Sequence, residues 1–364
     1  MAIEVTNIEE LEAAYKKFVG EEMDLTANSD ASKDNILIYC DAIADGNPLW
    51  IDEDYAGKSR FGMITAPPTF LYKVNHGTDV GMYAAGNITV KDIAPMYSGA
   101  EWEFFRPIRV NDKFTVKGKF HSFRKVESKT RGAICFTKGE VSYFNQSDEL
   151  VAISRPTVAM VQITRKSLEA PPIRVHDPAK PGVAAENPDT LAYDRKYERR
   201  GAAPRYWEDV EVGEEMTPPL RKGVLTADEI TRWSLSVPLK PSRFYMRREE
   251  KVVVGMGREA LSKLAHGVAD PEDFGPQRVG WLGQAVTDWM GDDGTLKKFS
   301  CEIRGPNMMG DINIIKGKLT KKYIEAGEHL VDCEISCENQ GGNITAPGRA
   351  TVVLPSKKKG ARSS

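Results

Sequence analysis

The spacing of apolar residues along the chain changes from helical to alternating within the first half. A helix over residues 7–22 is predicted by apolar side chains that recur on one helical face: Ile8, Leu11, Ala14, Tyr15 and Phe18. Asn7 can cap this helix and Gly20 can end it. From about residue 98, apolar and polar residues alternate, which is typical of half-buried antiparallel strands. The first half therefore predicts helices followed by an antiparallel meander.

The second half repeats this order of elements. Thr226 and Glu229 form a capping-box pattern at the start of a predicted helix, and an apolar stripe predicts another helix over residues 276–290. In the meander that follows, the segment Glu103–Pro107 recurs as Glu302–Pro306, at an offset of roughly two hundred residues. One long duplication therefore predicts two similar units on one chain.

The segment between the two units differs in composition. Residues 165–205 are rich in proline and poor in apolar side chains, which is typical of a linker. We therefore expect an N-terminal unit over residues 1–164, a C-terminal unit over residues 206–356 and a basic tail over residues 357–364. The charged run Glu198–Arg200 is expected to be solvated.

The most distinctive stretch of the chain runs from Tyr39 to Phe70. Its apolar start leads into a turn at residues 45–48 (DGNP), where all four residue types favour turns. A second turn at residues 66–69 (APPT) opens another helix, because proline is tolerated in the first helical turn. This helix is expected to cover residues 69–76.

These two turns resemble the motif of the MaoC-like family of (R)-specific enoyl-CoA hydratases and acyl dehydratases. The family pattern is matched at six spaced positions: Asp45, Asn47, Pro48, Leu49, Asp52 and Ala56. The Ala-Pro-Pro-Thr-Phe helix start resembles the amino-terminal half of two-domain members. The resemblance covers nearly the whole chain outside the linker. It implies an α+β fold of the double hot-dog type, in which each half wraps an antiparallel sheet around a central helix.

The resemblance also implies a set of site residues in the first half. In the family, an aspartate and a histidine hold the water that adds to the enoyl double bond, and these positions are Asp45 and Trp50 here. Tryptophan cannot take a proton, so Asp45 is either the remaining catalytic residue or a turn residue. Thr69 and Phe70 would donate backbone N–H groups to the enolate oxygen. Asn47 either shapes the turn or contacts substrate, and Trp50 either lines an acyl pocket or fills the core.

The corresponding stretch of the second half lacks both catalytic residues. Pro238 stands at the aspartate position and Arg243 at the histidine position. Arg243 is either a surface residue or a ligand of a CoA phosphate or substrate carboxylate. His266 lies in an Ala-His-Gly that imitates the family helix start, but the spacing to the Asp288–Trp289 pair favours a helix start at Gly275. His266 then belongs to an insertion that can fold over the site as a substitute acid or base.

The resemblance leads to two functions of different kinds. The chain is either itself a hydratase or dehydratase of acyl-CoA thioesters, or a non-catalytic subunit that completes the acyl pocket of a catalytic hydratase. A thioesterase on the same fold fits the meander and the Asp-Trp pair less well. The CoA thioester is then the substrate, and no separate cofactor is implied. Exposed sheet and helix surfaces predict a homodimer, or a heteromer with a catalytic hydratase subunit.

Composition narrows the classes of partner and compartment. A net charge of −2 over 364 residues gives no electrostatic case for binding nucleic acid or an anionic membrane. No apolar run approaches the length of a membrane span, and the acidic amino-terminal segment does not resemble a signal peptide. The five cysteines are odd in number and dispersed, so we expect them to be reduced and structural. These features predict a cytoplasmic protein without a metal site.

Overall fold

The computed structural model describes residues 2–128, 132–163, 198–237 and 272–357. Its α-helices in the first half are α1 (Ile8–Tyr15), α2 (Lys33–Ala42), α3 (Pro48–Ile51), α4 (Glu53–Lys58), α5 (Leu71–Val74) and α6 (Thr78–Tyr83). The second half contributes α7 (Ala227–Ser236) and α8 (Gly275–Met290). None of these described helices is long and apolar enough to cross a membrane.

The described strands before the central helices are short, and the long strands all follow these helices. The first half contains β1 (Ile3–Val5), β2 (Glu22–Leu25), β3 (Ile88–Val90), β4 (Ile93–Phe104), β5 (Thr115–Ser128), β6 (Gly132–Phe144) and β7 (Leu150–Gln162). The second half contains β8 (Leu220–Lys222), β9 (Thr295–Glu302), β10 (Asn313–Glu325), β11 (Glu328–Asn339) and β12 (Ile344–Val353).

One ten-stranded sheet runs through both halves in the order β2-β5-β6-β7-β4-β9-β12-β11-β10-β8. All neighbouring strands in it are antiparallel. The order β5-β6-β7-β4 of the first half corresponds to β10-β11-β12-β9 of the second, so the duplication is confirmed in the topology. The halves join edge to edge where β4 pairs with β9. The α+β double hot-dog fold is thereby confirmed.

The central helix differs between the two halves. In the second half, α8 is continuous and begins at Gly275, as the spacing predicted, and it packs on β4 and β9–β12. In the first half, a 3-10 turn at Pro68–Phe70 leads into α5. Residues 75–77 are not helical and separate α5 from α6. The expected helix over residues 69–76 therefore ends early. Gly77, with φ of 75°, adopts the left-handed conformation at this break.

The first predicted helix is also shorter than expected. Asn7 caps α1 as predicted, by accepting the Glu10 N–H, but the helix ends at Tyr15 and not at Gly20. The chain leaves the helix because the Gly20 N–H donates to the Phe120 carbonyl of β5 at 2.8 Å, and β2 begins two residues later. Pairing with the sheet thus ends the helical pattern.

The cores of the two halves are continuous. Although the duplication predicts two similar units, the buried apolar residues form one cluster that includes both halves. The cause is close packing across the join. A Cβ added at Gly280 of α8 would lie 2.8 Å from Ile43, and one added at Gly283 would lie 3.1 Å from Thr69. Glycines on α8 therefore let the first half approach this helix closely.

The predicted domain boundaries remain predictions, because most of the expected linker lies outside the described residues. Residues 198–205, at its end, form turns and extended chain. Thr226 and Glu229 form the capping box that was predicted at the start of α7. The five cysteines are all buried and none forms a disulfide bond.

A buried ion pair stabilises the start of α8. Arg278 donates to both carboxylate oxygens of Asp273, at 2.7 and 2.6 Å, and the two side chains are 2% and 0% exposed. Its remaining donors bind the carbonyls of Gly305 and Thr345. The guanidinium therefore ties the helix start to the loop after β9 and to the first residues of β12.

We expect Arg278→Leu to lower the free energy of unfolding by about 3–5 kcal/mol, because the Asp273 carboxylate loses its cation in a buried site. Urea denaturation followed by circular dichroism measures this change. Arg304→Ala is the matched control, since Arg304 pairs with Glu302 while their side chains are 60% and 69% exposed. The control should change stability by less than about 0.5 kcal/mol. Equal urea midpoints for the two variants would contradict this role of the buried pair.

Candidate functional site

The turn that carries Asp45 connects α2 with α3. Ala44 precedes it in the left-handed conformation, with φ of 50°, and the Asp45 N–H donates to the Cys40 carbonyl at 2.8 Å. Asp45 Oδ1 accepts the Asn47 N–H at 3.0 Å, and Asn47 Oδ1 accepts the Leu49 N–H at 3.1 Å to cap α3. Asn47 thus shapes the turn, and its contact with substrate stays a prediction.

Trp50 lies directly beside the Asp45 carboxylate. Its indole Nε1 donates to Asp45 Oδ2 at 3.1 Å, and the two residues are 5% and 3% exposed. The residue at the position of the expected histidine therefore donates a hydrogen bond to the carboxylate. An indole N–H donates but accepts no proton, so this pair lacks the basic nitrogen of the family site.

Lys222 reaches the Asp45 turn from β8 of the second half. Its Nζ donates to the carbonyls of Ile43 and Ala44, both at 2.7 Å, and the residue is 7% exposed. These are the two carbonyls just before Asp45. The ammonium therefore fixes the turn and brings a positive charge close to the carboxylate.

Arg199 and Asp288 complete the charged cluster. Arg199 Nη1 donates to the Gly46 carbonyl at 2.6 Å, and its Nε donates to Asp288 Oδ1 on α8 at 3.2 Å. The expectation that Glu198–Arg200 is solvated is wrong for Arg199, because its side chain is only 26% exposed. The site thus consists of one motif from the first half and three charged side chains from beyond it.

Burial and mutual charge shift the pKa values of this cluster. Burial and the nearby Asp288 charge raise the pKa of Asp45 to about 6, although Lys222 and Arg199 act in the opposite direction. Burial lowers the pKa of Lys222 to about 8, against the attraction of Asp45 and Asp288. At neutral pH the carboxylate and the ammonium are both charged.

The predicted enolate-binding residues lie at the start of the first central helix. Thr69 and Phe70 are 2% and 0% exposed. The Phe70 N–H donates to the Pro67 carbonyl at 2.9 Å, so this donor is already used within the 3-10 turn. The methyl group of Thr69 faces Gly283 of α8. The proposed donation by these amides to an enolate stays a prediction.

Arg243 and His266 are the remaining sequence-predicted positions, and His76 is a partly buried histidine of the first half. Arg243 and His266 lie outside the described residues. His76 lies in the break before α6, where Nδ1 is 3.1 Å from Thr78 Oγ1 and the ring contacts Tyr72 and Tyr97. Burial lowers the pKa of His76 to about 4, so this imidazole is neutral at pH 7.

Sequence reasoning did not identify Lys222, Arg199 or Asp288 as site residues. Asp288 belongs to the Asp-Trp pair from which the start of α8 was predicted, and this pair was the one sequence feature that pointed to Asp288. Nothing in the local sequence of Lys222 indicates a partner in the other half. Within the described ranges, no cluster of histidine, cysteine or acidic residues is arranged to hold a metal ion.

Known proteins resemble this chain in sequence and in fold. Residues 17–154 match the family model of the FAS1-like dehydratase domain region. A UPF0336 protein of Parafrankia sp. is 29% identical over 136 residues, which are 37% of this chain and 86% of the relative. A UPF0336 protein of Streptomyces avermitilis is 21% identical over 114 residues, which are 31% of this chain and 76% of the relative.

Solved structures resemble the whole chain. A MaoC-like dehydratase superposes with a TM-score of 0.69 and 17% identity, covering 94% of this chain and 100% of its own. A conserved protein from Mycobacterium tuberculosis with a double hot-dog fold gives a TM-score of 0.59 and 13% identity, covering 93% and 97%. Residues 17–154 thus match a dehydratase-domain family, and the chain shares its double hot-dog fold with solved structures that include a MaoC-like dehydratase.

Proposed function

We propose that this protein works in the hydration or dehydration of acyl-CoA thioesters, as a subunit that helps to bind the acyl group while a partner chain supplies the acid–base pair. The observation that carries the proposal is the hydrogen bond from Trp50 Nε1 to Asp45 Oδ2 at 3.1 Å. An indole donor stands where the family has a histidine. The dehydratase-domain match supports the reaction class.

The chemistry of hydration explains why this hydrogen bond matters. A base must take a proton from water, an acid must protonate the α carbon, and donors must stabilise the enolate oxygen. Asp45 is 3% exposed, and its two oxygens accept bonds from Asn47 and Trp50. Trp50 has no nitrogen that can pass a proton on. The described site therefore favours a structural role for the carboxylate.

A second candidate is that the chain is itself the hydratase. The favouring observation is the pKa of Asp45, which burial and Asp288 raise to about 6, close to the pH at which a general base works best. Asp45 would then take a proton from water with a partner other than histidine. Under either proposal the substrate is an acyl-CoA thioester and the location is the cytoplasm. The first proposal requires a heteromer with a catalytic hydratase chain, whereas a homodimer is compatible with the second.

We expect the purified chain alone to hydrate crotonyl-CoA and longer enoyl-CoA thioesters no faster than its Asp45→Asn variant does. The reason is that hydration needs a group that accepts and passes on a proton, and the indole beside Asp45 cannot do this. Loss of absorbance of the enoyl thioester measures the rate. Substantial hydration by the wild type, reduced about 10²–10⁴-fold in Asp45→Asn, would instead support the second candidate, because such a loss is typical of a missing general base.

Trp50→His should raise the hydration rate above that of the wild type, because an imidazole can donate to Asp45 and also accept a proton. Trp50→Phe is the matched control, since it removes the indole donor and adds no base. The same enoyl-CoA assay measures both variants, with circular dichroism to confirm their folding. Equal hydration rates for folded Trp50→His and Trp50→Phe would contradict the idea that the missing base limits the rate at this site.

The raised pKa of Asp45 predicts a particular pH dependence of stability. The unfolded chain releases the Asp45 proton near pH 3.8, whereas the folded chain holds it to about pH 6. Between these values the folded state binds more protons, so its stability falls as pH rises. The free energy of unfolding of the wild type, relative to that of Asp45→Asn, should therefore decrease between about pH 4 and 6 and stay constant above pH 6. Urea midpoints of both proteins test this, and a constant difference would contradict it.

A further inference from the structure

A cluster of aromatic and imidazole rings lies where α5 ends. It consists of Tyr72 on α5, His76 in the segment between α5 and α6, and Tyr97 and Trp102 on β4. The His76 ring centroid lies 5.2 Å from that of Tyr72 and 5.8 Å from that of Tyr97. His76 and Tyr97 are both partly exposed, so the cluster reaches the protein surface.

The hydrogen bonds between these rings run in one direction. Trp102 Nε1 donates to the Tyr72 hydroxyl oxygen at 3.3 Å, because an indole N–H can only donate. The Tyr72 and Tyr97 hydroxyl oxygens lie 2.6 Å apart. Tyr72 is 1% exposed, so its own O–H must donate to Tyr97, its only acceptor among the described residues. The Tyr97 oxygen therefore accepts this bond, and its own O–H has no acceptor within the described ranges.

His76 presents a second donor beside Tyr97. Its Nδ1 lies 3.1 Å from Thr78 Oγ1, and Thr78 is 5% exposed. The Thr78 hydroxyl has no other acceptor in the described part of the chain, so it donates to Nδ1 and the ring proton is on Nε2. Nε2 makes no hydrogen bond to the residues that the structure describes, and it is not enclosed. The Nε2–H is therefore open to solvent.

The charge around these two donors favours a neutral acceptor. Burial lowers the pKa of His76 to about 4, so the imidazole carries no positive charge at pH 7. The Asp79 carboxylate acts on this pKa in the opposite direction, so a negative charge lies nearby. A carboxylate or phosphate ligand would be repelled by Asp79. A carbonyl oxygen accepts hydrogen bonds without a charge, and it is the polar atom of an acyl thioester.

We propose that Tyr97 and His76 bind the carbonyl oxygen of an acyl-CoA thioester through the Tyr97 O–H and the His76 Nε2–H. This inference rests on the proposed function and specifies where the acyl group is held, at the end of α5 and not at the Asp45 turn. A Cβ added at Gly275 would lie 2.5 Å from the Tyr97 ring. The start of α8 thus packs directly on this ring, and the second half holds Tyr97 in place.

Isothermal titration calorimetry of the full chain with butyryl-CoA tests the proposal, because this saturated thioester cannot be hydrated. The thioether S-butyl-CoA is the matched ligand without the carbonyl oxygen. The wild type should bind butyryl-CoA roughly 10-fold more tightly than S-butyl-CoA, as expected for two hydrogen bonds between neutral groups. Infrared spectra of isotope-labelled butyryl-CoA should show a lower carbonyl stretching frequency in the bound ligand than in the free ligand.

Two substitutions remove one donor each. Tyr97→Phe keeps the ring against α8, and His76→Asn keeps an acceptor for the Thr78 hydroxyl while removing Nε2. Each variant should weaken butyryl-CoA binding about 3- to 10-fold and leave S-butyl-CoA binding unchanged. Tyr15→Phe is the matched control, since it removes a buried hydroxyl that donates to the Met82 carbonyl, and it should change neither affinity. Circular dichroism confirms folding, and His76→Asn decides the test if Tyr97→Phe does not fold.

The outcomes distinguish this site from the proposed function. If the wild type prefers butyryl-CoA to S-butyl-CoA and both folded variants keep that preference, the site is wrong while acyl binding by the chain stands. Loss of the preference in Trp50→Phe would then assign the acyl group to the Asp45 turn. If the wild type binds both ligands equally, or binds neither, the inference and the acyl-binding role are overturned together.

Discussion

The join between β4 and β9 depends on a residue without a side chain. Gly99 has φ of 130°, and a Cβ placed there would lie 2.1 Å from the Cys301 carbonyl oxygen, far inside any allowed contact. The pairing of β4 with β7 shifts register between Tyr97 and Gly99, which marks an irregularity at the same point. A larger residue would force the strands apart. The single sheet, and with it the contact between the halves, requires this close approach.

The contact between the halves creates the electrostatic environment of the Asp45 turn. Lys222 lies on the edge strand of the second half, yet its ammonium is satisfied only by carbonyls of the first half among the described residues. Asp288 raises the pKa of Asp45 from α8, while Arg199 binds both Asp288 and the turn. Opposite charges are thus interleaved in a largely buried region. Neither half alone contains this arrangement.

Local signals in the sequence predicted much of the fold. The capping box at Thr226, the start of α8 at Gly275 and the repeated meander are all local or periodic patterns, and the structure confirms them. The early end of α1 was not predictable from helical spacing, because a hydrogen bond from Gly20 to Phe120 in the sheet decides it. Long-range pairing overrides a local pattern in this case.

The candidate site was predictable only where its residues are close in sequence. Asp45, Asn47 and Trp50 form a compact motif, and they do contact one another. Lys222 approaches the same turn across 178 residues of chain, and a buried lysine has no distinguishing sequence pattern. Arg199 was predicted to be solvated because its partner Asp288, on α8, is distant in sequence.

The hydrogen bond between Trp50 and Asp45 has an evolutionary consequence. Histidine and tryptophan both present a ring N–H, so exchanging one for the other keeps the bond that holds the turn while removing the proton acceptor. Selection for a stable fold and selection for turnover can therefore act separately at this position. After a gene duplication, one copy can drift to tryptophan without misfolding and still be retained for how it assembles.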